Sequence, residues 1–591
     1  MDRTRLVEQL ERICGPGGVF HEPSDLLVYE YDGSVEGAVD IQMPVAAALP
    51  TSTEQVAAIV RLAHAAGVPV TARGAGTGLS GGAVAQAGGI VVAMTRMTRV
   101  VEIDRTDRTA LVEPGVINLE LSETTAPLGY FFAPDPSSQR ACTIGGNVAE
   151  NSGGPHCLKY GVTTNHILGL EVVLPDGSVV WTGERVAGAP GYDLTGAMVG
   201  SEGMLGIATK ALVRLTPNPE ATLVQLAAFR DIESASQATS RIIAAGILPA
   251  ALEMMDNLTI QAVEPAYHAG YPMDAGAVLL IETDGLTEEV DVIGDEITEI
   301  CRQHDASAIR SATAQAERDL LWKGRKMALA AMGRLSPNYY LHDTVVPRSK
   351  LPATLARVEQ ISADHRLPIA NVFHAGDGNL HPLMLFDRRK PGDVERVLEA
   401  SKEIITYCVE VGGALSGEHG IGTEKRDYMT LVFTGEDLAA MAGLKNAFDP
   451  ASRFNPGKVF PKGYMCGEVR ALRAQAMAQK YGIHPIKPAD RRRRSRRRRG
   501  RPRVGRAGRR AAPRGGGSRP RRDPDRSRHP AGPRQPAAPG RRCGQHRQPR
   551  RHPRLRTDRP RALGRRGGAA RRRAGGSRRA RPVAADRPAG R

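Results

Sequence analysis

The clearest periodic segment of the chain lies between Thr51 and Gly67. Apolar Val56, Ile59, Val60 and Ala63 recur at helical spacing, Thr51 with Glu54 three residues on matches a capping box, and Gly67 suits a left-handed stop. Apolar runs on either side, Val45 to Leu49 and Val68 to Thr71, predict strands, and Thr4 to Cys14 predicts an opening helix. A further β run, Gly89 to Met94, follows a glycine-dense segment, Arg73-Gly74-Ala75-Gly76-Thr77-Gly78-Leu79-Ser80-Gly81-Gly82, so these glycines lie between two β elements.

A second glycine-rich block spans Pro134 to Gly161, and strand-like Leu168 to Leu174 leads through an Asp176-Gly177 turn to Val179–Trp181. Gly200-Ser201-Glu202-Gly203-Met204-Leu205-Gly206-Ile207 closes this half. From Thr216 to Asp437 the glycine clusters give way to alternating helical and β patterns: helices over Ile232 to Ala245, Val290 to Cys301 and Leu351 to Ala363, and a strand over Ala277 to Thr283. That alternation predicts an α+β fold.

Composition changes the picture only at the end of the chain. The formal net charge of +18 would point to nucleic acid or an anionic membrane surface. Residues 491–591, however, hold 39 Arg, no Lys, 4 Asp and no Glu, a net of +35, so residues 1–490 carry 18 − 35 = −17. The body is acidic. The tail also lacks Ile, Phe, Tyr, Trp, Met and Asn, leaving little to offset the entropy of ordering, and disorder is expected. Most of the missing residues have A/T-rich codons, which fits out-of-frame translation of GC-rich DNA. The rival reading is a nucleic-acid-binding arm. The cysteines, at 14, 142, 157, 301, 408, 466 and 543, form no CxxC pair, which argues against a disulfide framework and an iron–sulfur cluster. Without a signal-type apolar core or a membrane-length apolar run, the expected location is cytoplasmic.

Five glycines within nine residues after a buried strand let backbone N–H groups converge on an anion, with a diphosphate as the natural guest. The spacing Gly74-x-Gly76-x-Gly78 is not the dinucleotide fingerprint, and Gly81-Gly82 would break the helix a Rossmann site requires there, so that fold is rejected.

Candidate chemistry gathers in Val372-Phe373-His374-Ala375-Gly376-Asp377-Gly378-Asn379-Leu380-His381. If Asp377-Gly378 is a two-residue hairpin turn, His374 pairs with His381 on one face, with Cβ atoms about 5 Å apart. Two imidazoles so placed suit one divalent ion, and Glu418, within Ser416-Gly417-Glu418-His419-Gly420, is a candidate oxygen ligand.

Taken together, the motifs from about residue 45 to 460 resemble the FAD-linked oxidases of the vanillyl-alcohol-oxidase type, in particular the glycolate oxidase flavoprotein and D-lactate dehydrogenase branch. The resemblance implies a two-subdomain FAD-binding domain with an α+β substrate cap: residues 1–217 and a return at 438–462 for the former, 218–437 for the cap, 463–490 as linker. It implies that Arg73, Gly74, Ala75, Gly76, Thr77 and Gly78 cradle the FAD diphosphate. Pro134, Ser137, Gly145, Asn147, Asn151 and Gly153 line the flavin, with Glu202, Gly206, Ile207 and Asn455 as further cofactor residues. Some relatives bind flavin covalently through His or Cys, and His156 and Cys157 follow Gly154 here; the closer ones hold it non-covalently, which is the expectation for this chain. The metal set His374, His381 and Glu418 carries over, holding Zn or Mn, as do His419 as base and Arg325 as the cation for a substrate carboxylate.

The expected reaction is therefore oxidation of a small 2-hydroxy acid, glycolate or D-lactate, by hydride transfer to flavin N5. The D-2-hydroxyglutarate dehydrogenases are the alternative branch. They carry a Lys where this chain has Leu341 (in Leu341-His342-Asp343), and a Leu-Asn where it has Pro382-Leu383. Loss of those polar groups favours a shorter acid. The resemblance further implies iron–sulfur and second FAD-type subunits as electron acceptors, and a position peripheral to the inner membrane.

Overall fold

The helix predicted from Thr51 onward spans Thr53–Ala66, and its cap falls one residue later than the spacing suggested. Ser52 accepts from the Gln55 backbone N–H, while Thr51 gives its own N–H to the Gln55 side chain at 2.7 Å, because either hydroxyl residue can serve and the chain direction selects Ser52. Gly67, at φ 68°, closes the helix in the left-handed conformation. These elements belong to a computed structural model that describes residues 1–34, 43–85, 88–186, 188 and 190–462; the expected linker and Arg-rich tail lie outside the described residues. No helix among the described residues is long and apolar enough to cross a membrane.

Strands Ala46–Ala48, Ile90–Ala93 and Val70–Arg73 run parallel in a four-stranded sheet whose edge, Val19–Phe20, is antiparallel. Both faces of the parallel strands are covered, which is why they read as continuous apolar runs. Parallel pairing forces the chain from Val70–Arg73 to cross over before Ile90–Ala93, and the glycine loop is that connection. A five-stranded antiparallel sheet follows, in the order Val100–Asp104, Thr109–Val112, Ile207–Arg214, Ile167–Val173, Val179–Gly183.

A nine-stranded sheet forms the other half. Its path runs Ala306–Ala312, Ala221–Phe229, Ala277–Gly285, Ala251–Asp256, Ile369–His374, Asn379–Leu380 and Thr344–Val345, with Asn338–Leu341 and Pro382–Phe386 attached at Ile369–His374. One face is apolar, covered by helices Ile232–Ala244, Thr287–Gln303, Leu351–His365 and Asp393–Glu410. The opposite face begins apolar, with Met255, Val278, Leu280, Leu383 and Leu385 under helices Asn257–Tyr267 and Gln315–Lys326. Along the same face, period-two alternation then places Glu253, Glu282, Asp284, His374 and His381 at its far end.

After helix Gly435–Phe448 the chain returns to the parallel sheet. Phe454 bridges Val70, and the buried Lys458 ammonium donates to the carbonyls of Gly81, Gly82 and Val84.

Candidate active site

Between the glycine loops and the polar end of the nine-stranded sheet lies a cavity of about 370 Å³. Gly74, Ala75, Gly76, Thr77, Gly78, Ser137, Asn147, Gly153 and Glu202 line it on one side, and Arg325, His381, Glu418 and His419 on the other. Arg73, Gly145, Gly206 and Ile207 line an adjoining space of about 60 Å³.

Three expected cofactor residues line neither space. The Pro134 carbonyl accepts from Asn118; Asn151 closes helix Ile144–Glu150 at φ 53° and accepts from Thr164 N–H; and the buried Asn455 amide donates to Gly82 and Glu202 carbonyls while accepting from Thr71. Arg73 is likewise turned inward, its guanidinium on the carbonyls of Val28 and Tyr31. These side chains hold the loops in shape.

The loop itself fits a diphosphate-bearing cofactor on steric grounds. Gly76 sits at φ 75°, a region L side chains avoid, and a Cβ there would run into the Arg73 guanidinium; a Cβ at Gly74 would collide with Thr143 Oγ1. Glycine is therefore required for the loop to pack in this shape, and Gly74, Gly76 and Gly78 line the cavity without side chains.

The hairpin register differs from the two-residue turn. His374 pairs with Asn379, so Ala375–Gly378 form a four-residue loop, and His381 stands opposite Val372 by the register that pairs Asn371 with Pro382. The slip is of two residues, and a two-residue slip preserves face because side chains alternate with period two. The histidines are therefore diagonal neighbours on one face, with ring centroids 5.1 Å apart.

Their Nε2 atoms converge on a single oxygen. Glu418 Oε1 lies 3.2 Å from His374 Nε2, 3.1 Å from His381 Nε2 and 3.9 Å from His419 Nε2. One ligand atom from each of His374, His381 and Glu418 falls within 4.8 Å of the others, a donor set of two imidazoles and a carboxylate that suits a divalent metal. Burial works against charge on His374, yet Glu253 and Glu418 raise its pKa well above the usual range. Burial likewise opposes a charged Glu418, and His374 and His381 hold it well below. Burial pushes His419 down to about 4, with Asp343 opposing it and His381 adding to it, so this imidazole is neutral near pH 7.

Two buried carboxylates that sequence reading did not single out organise this wall. Asp343 accepts from Ser416 Oγ at 2.5 Å, from the N–H groups of Gly417, Glu418 and His419, and from Lys425 Nζ at 2.9 Å. The turn bearing Glu418 and His419 is thus folded around one anion. Glu253 takes His374 Nδ1 on one oxygen and Arg325 on the other. A charge inside the apolar run Ala251–Asp256 was the available signal, since a carboxylate in a strand covered on both faces requires partners.

His156 is engaged elsewhere. The His156 ring bridges Asp135 at 2.8 Å and Glu282 at 3.1 Å, and burial raises the Cys157 thiol pKa. His342 is buried against Ser401, and Leu341, with Leu329, Ala330 and Val372, contributes an apolar lining to the cavity.

A glycine loop at a strand crossover faces imidazoles and carboxylates carried by a sheet end and a neighbouring turn, and the chain belongs to the FAD-linked oxidase family, a class of flavin-dependent oxidoreductases. Residues 44–183 match the family described as FAD binding domain, and residues 218–459 that described as FAD linked oxidases, C-terminal domain. Glycolate oxidase subunit GlcD of Escherichia coli (strain K12) is 44% identical over 472 residues, covering 80% of this chain and 94% of that protein. The D-lactate dehydrogenase of Anaerostipes hadrus is 32% identical over 418 residues, 69% of this chain and 88% of that protein. Among solved structures, p-cresol methylhydroxylase with substrate bound superposes with a TM-score of 0.67 at 18% identity, over 78% of this chain and 97% of that one, a likeness of fold.

Proposed function

We propose that the protein oxidises a short 2-hydroxy acid, glycolate or D-lactate, to the 2-oxo acid, with FAD held non-covalently against Gly74–Gly78 and a divalent ion, Zn or Mn, held by His374, His381 and Glu418. The observation that carries this reading is the convergence of three imidazole Nε2 atoms on Glu418 Oε1 at the cavity wall facing the glycine loop. When bound, the flavin accepts hydride and the metal acidifies the substrate hydroxyl. His419, neutral near pH 7, takes the hydroxyl proton at Nε2. Arg325 receives the carboxylate; its Nε–Nη2 edge is committed to Glu253, which leaves the end carrying Nη1 for the substrate.

Leu341, Val372, Leu329 and Ala330 offer no polar partner to a distal carboxylate, and the Lys326 ammonium that also lines the cavity faces Asp135 at 3.8 Å, which supports glycolate or lactate over 2-hydroxyglutarate. Electron acceptors in the form of iron–sulfur and second FAD-type subunits are part of the same reading, supported by the relatives' description as a subunit of glycolate oxidase. A dye-linked assay of the purified full chain against a panel of D- and L-2-hydroxy acids tests it. Glycolate or D-lactate should reduce the dye, and a chelator should abolish turnover while the flavin absorbance persists. Dye reduction by 2-hydroxyglutarate alone, or by none of the panel, would refute the reading.

A further inference from the structure

Glu253 is completely buried, and its two oxygens serve two parts of the site at once. It stands directly across from His374 in the sheet register, where Oε1 lies 2.7 Å from His374 Nδ1. Oε2 accepts from Arg325 Nε at 2.7 Å and Nη2 at 2.6 Å. The arginine comes from helix Gln315–Lys326, which packs on the same face of the sheet. One carboxylate therefore fixes an imidazole that faces Glu418 and a guanidinium that faces the cavity.

We infer that Glu253 is a positioning residue that couples the metal-ligand imidazole His374 to the carboxylate-binding guanidinium Arg325, so that the two are set in register with each other before substrate arrives. The inference rests on the metal reading given above. By accepting from Nδ1–H, Glu253 keeps that proton in place when a metal binds, so that Nε2, which faces Glu418, is the nitrogen that gives up its proton and offers its lone pair to the ion. By holding the Nε–Nη2 edge, it prevents rotation of the guanidinium about its own axis and presents the opposite end to the cavity. The substrate's hydroxyl and carboxylate sit on adjacent carbons, so the groups that receive them need a fixed separation. Among the described residues, Glu253 is the group that hydrogen-bonds both receivers.

The amide variant separates these duties. In Glu253→Gln one end must be NH2. Facing His374 Nδ1, it forces the wrong tautomer; facing Arg325, it sets donor against donor. The test uses the FAD-loaded full chain, with zinc alone titrated in competition with a chromophoric chelator, and KM and kcat read separately. E253Q is expected to keep its flavin absorbance, bind zinc about 10–100-fold more weakly and show a raised KM. A flavin-retaining E253Q with unchanged zinc affinity and unchanged KM would overturn the proposal, since a carboxylate that merely stabilises the fold would move neither.

Should E253Q fail to fold, Arg325→Lys decides. Lysine cannot reproduce the two-donor grip on Oε2, so zinc affinity should fall toward the lower end of that range, about 10-fold, although residue 325 is not a metal ligand. Unchanged zinc affinity in R325K would show that the two receivers are independent. A wild-type protein that binds no zinc would defeat the metal reading and this inference together, whereas a zinc-binding wild type with an unaffected variant defeats this inference alone.

Discussion

The two walls of the cavity are made of different material. On one side Gly74, Gly76 and Gly78 offer peptide groups with no side chains in the way, and the polar side chains nearby, Arg73 and Asn455, are turned inward to hold the loop. On the other side the chemistry belongs to side chains, His381, Glu418, His419 and Arg325, each fixed by a buried carboxylate or by a backbone folded around one. A wall of backbone fails when an atom is added; a wall of side chains fails when a partner is taken away. The two kinds of damage should also separate in their readouts, flavin retention for the first and binding of the proposed metal for the second.

The largest effect should follow from removing the anion at the heart of the side-chain wall. Asp343→Ala withdraws the acceptor for Ser416, Gly417, Glu418 and His419 and leaves the Lys425 ammonium, itself buried, without its counterion. Breaking a buried pair from one side costs about 3–5 kcal/mol, because the remaining charge stays out of water. Urea unfolding of D343A should show a midpoint lowered to match, and zinc binding by whatever protein folds should be lost. A variant as stable as wild type would mean that the Glu418–His419 turn does not depend on Asp343.

How much of this was readable beforehand follows the same division. Backbone-built features announce themselves by local composition: the run from Gly74 to Gly82 lies between two β-strands as the apolar runs flanking it implied, and Asp176-Gly177 forms its turn with Gly177 at φ 82°. The side-chain wall was legible only where its members were close in sequence. His374 and His381 were placed on one face despite a misjudged loop length, because a slip of two residues leaves that conclusion intact. Glu253 and Asp343 were not legible, since Glu253 meets His374 across 121 positions and Asp343 meets Glu418 across 75. Strand order, which no local pattern encodes, makes those encounters. The cap at Ser52 rather than Thr51 turned on the chain's direction, which two adjacent hydroxyl residues do not reveal.

The backbone wall can be broken without touching the other. Gly76→Ala places a Cβ at φ 75° and against the Arg73 guanidinium. The left-handed conformation alone costs an L residue about 1–2 kcal/mol, equivalent to roughly tenfold in an equilibrium. G76A should therefore be purified with much less flavin, read from its visible absorbance and from FAD released on denaturation, while its zinc affinity stays at the wild-type value. Loss of zinc binding in step with flavin would show that the two walls are energetically one unit.

The smallest effect should come from a change that belongs to neither wall. Asp231 caps helix Ile232–Ala244 on the apolar face of the nine-stranded sheet, accepting from Ser234 N–H at 2.7 Å. Asp231→Ala should cost about 1 kcal/mol, the ordinary worth of an N-cap, with a correspondingly small drop in melting temperature. Flavin content and zinc affinity should both hold, because that helix packs on the face of the sheet opposite the site. If D231A instead lowered either one, the apolar face would be transmitting strain to the polar end of the opposite face, and the separation of readouts between the two walls could not be assigned to local construction alone.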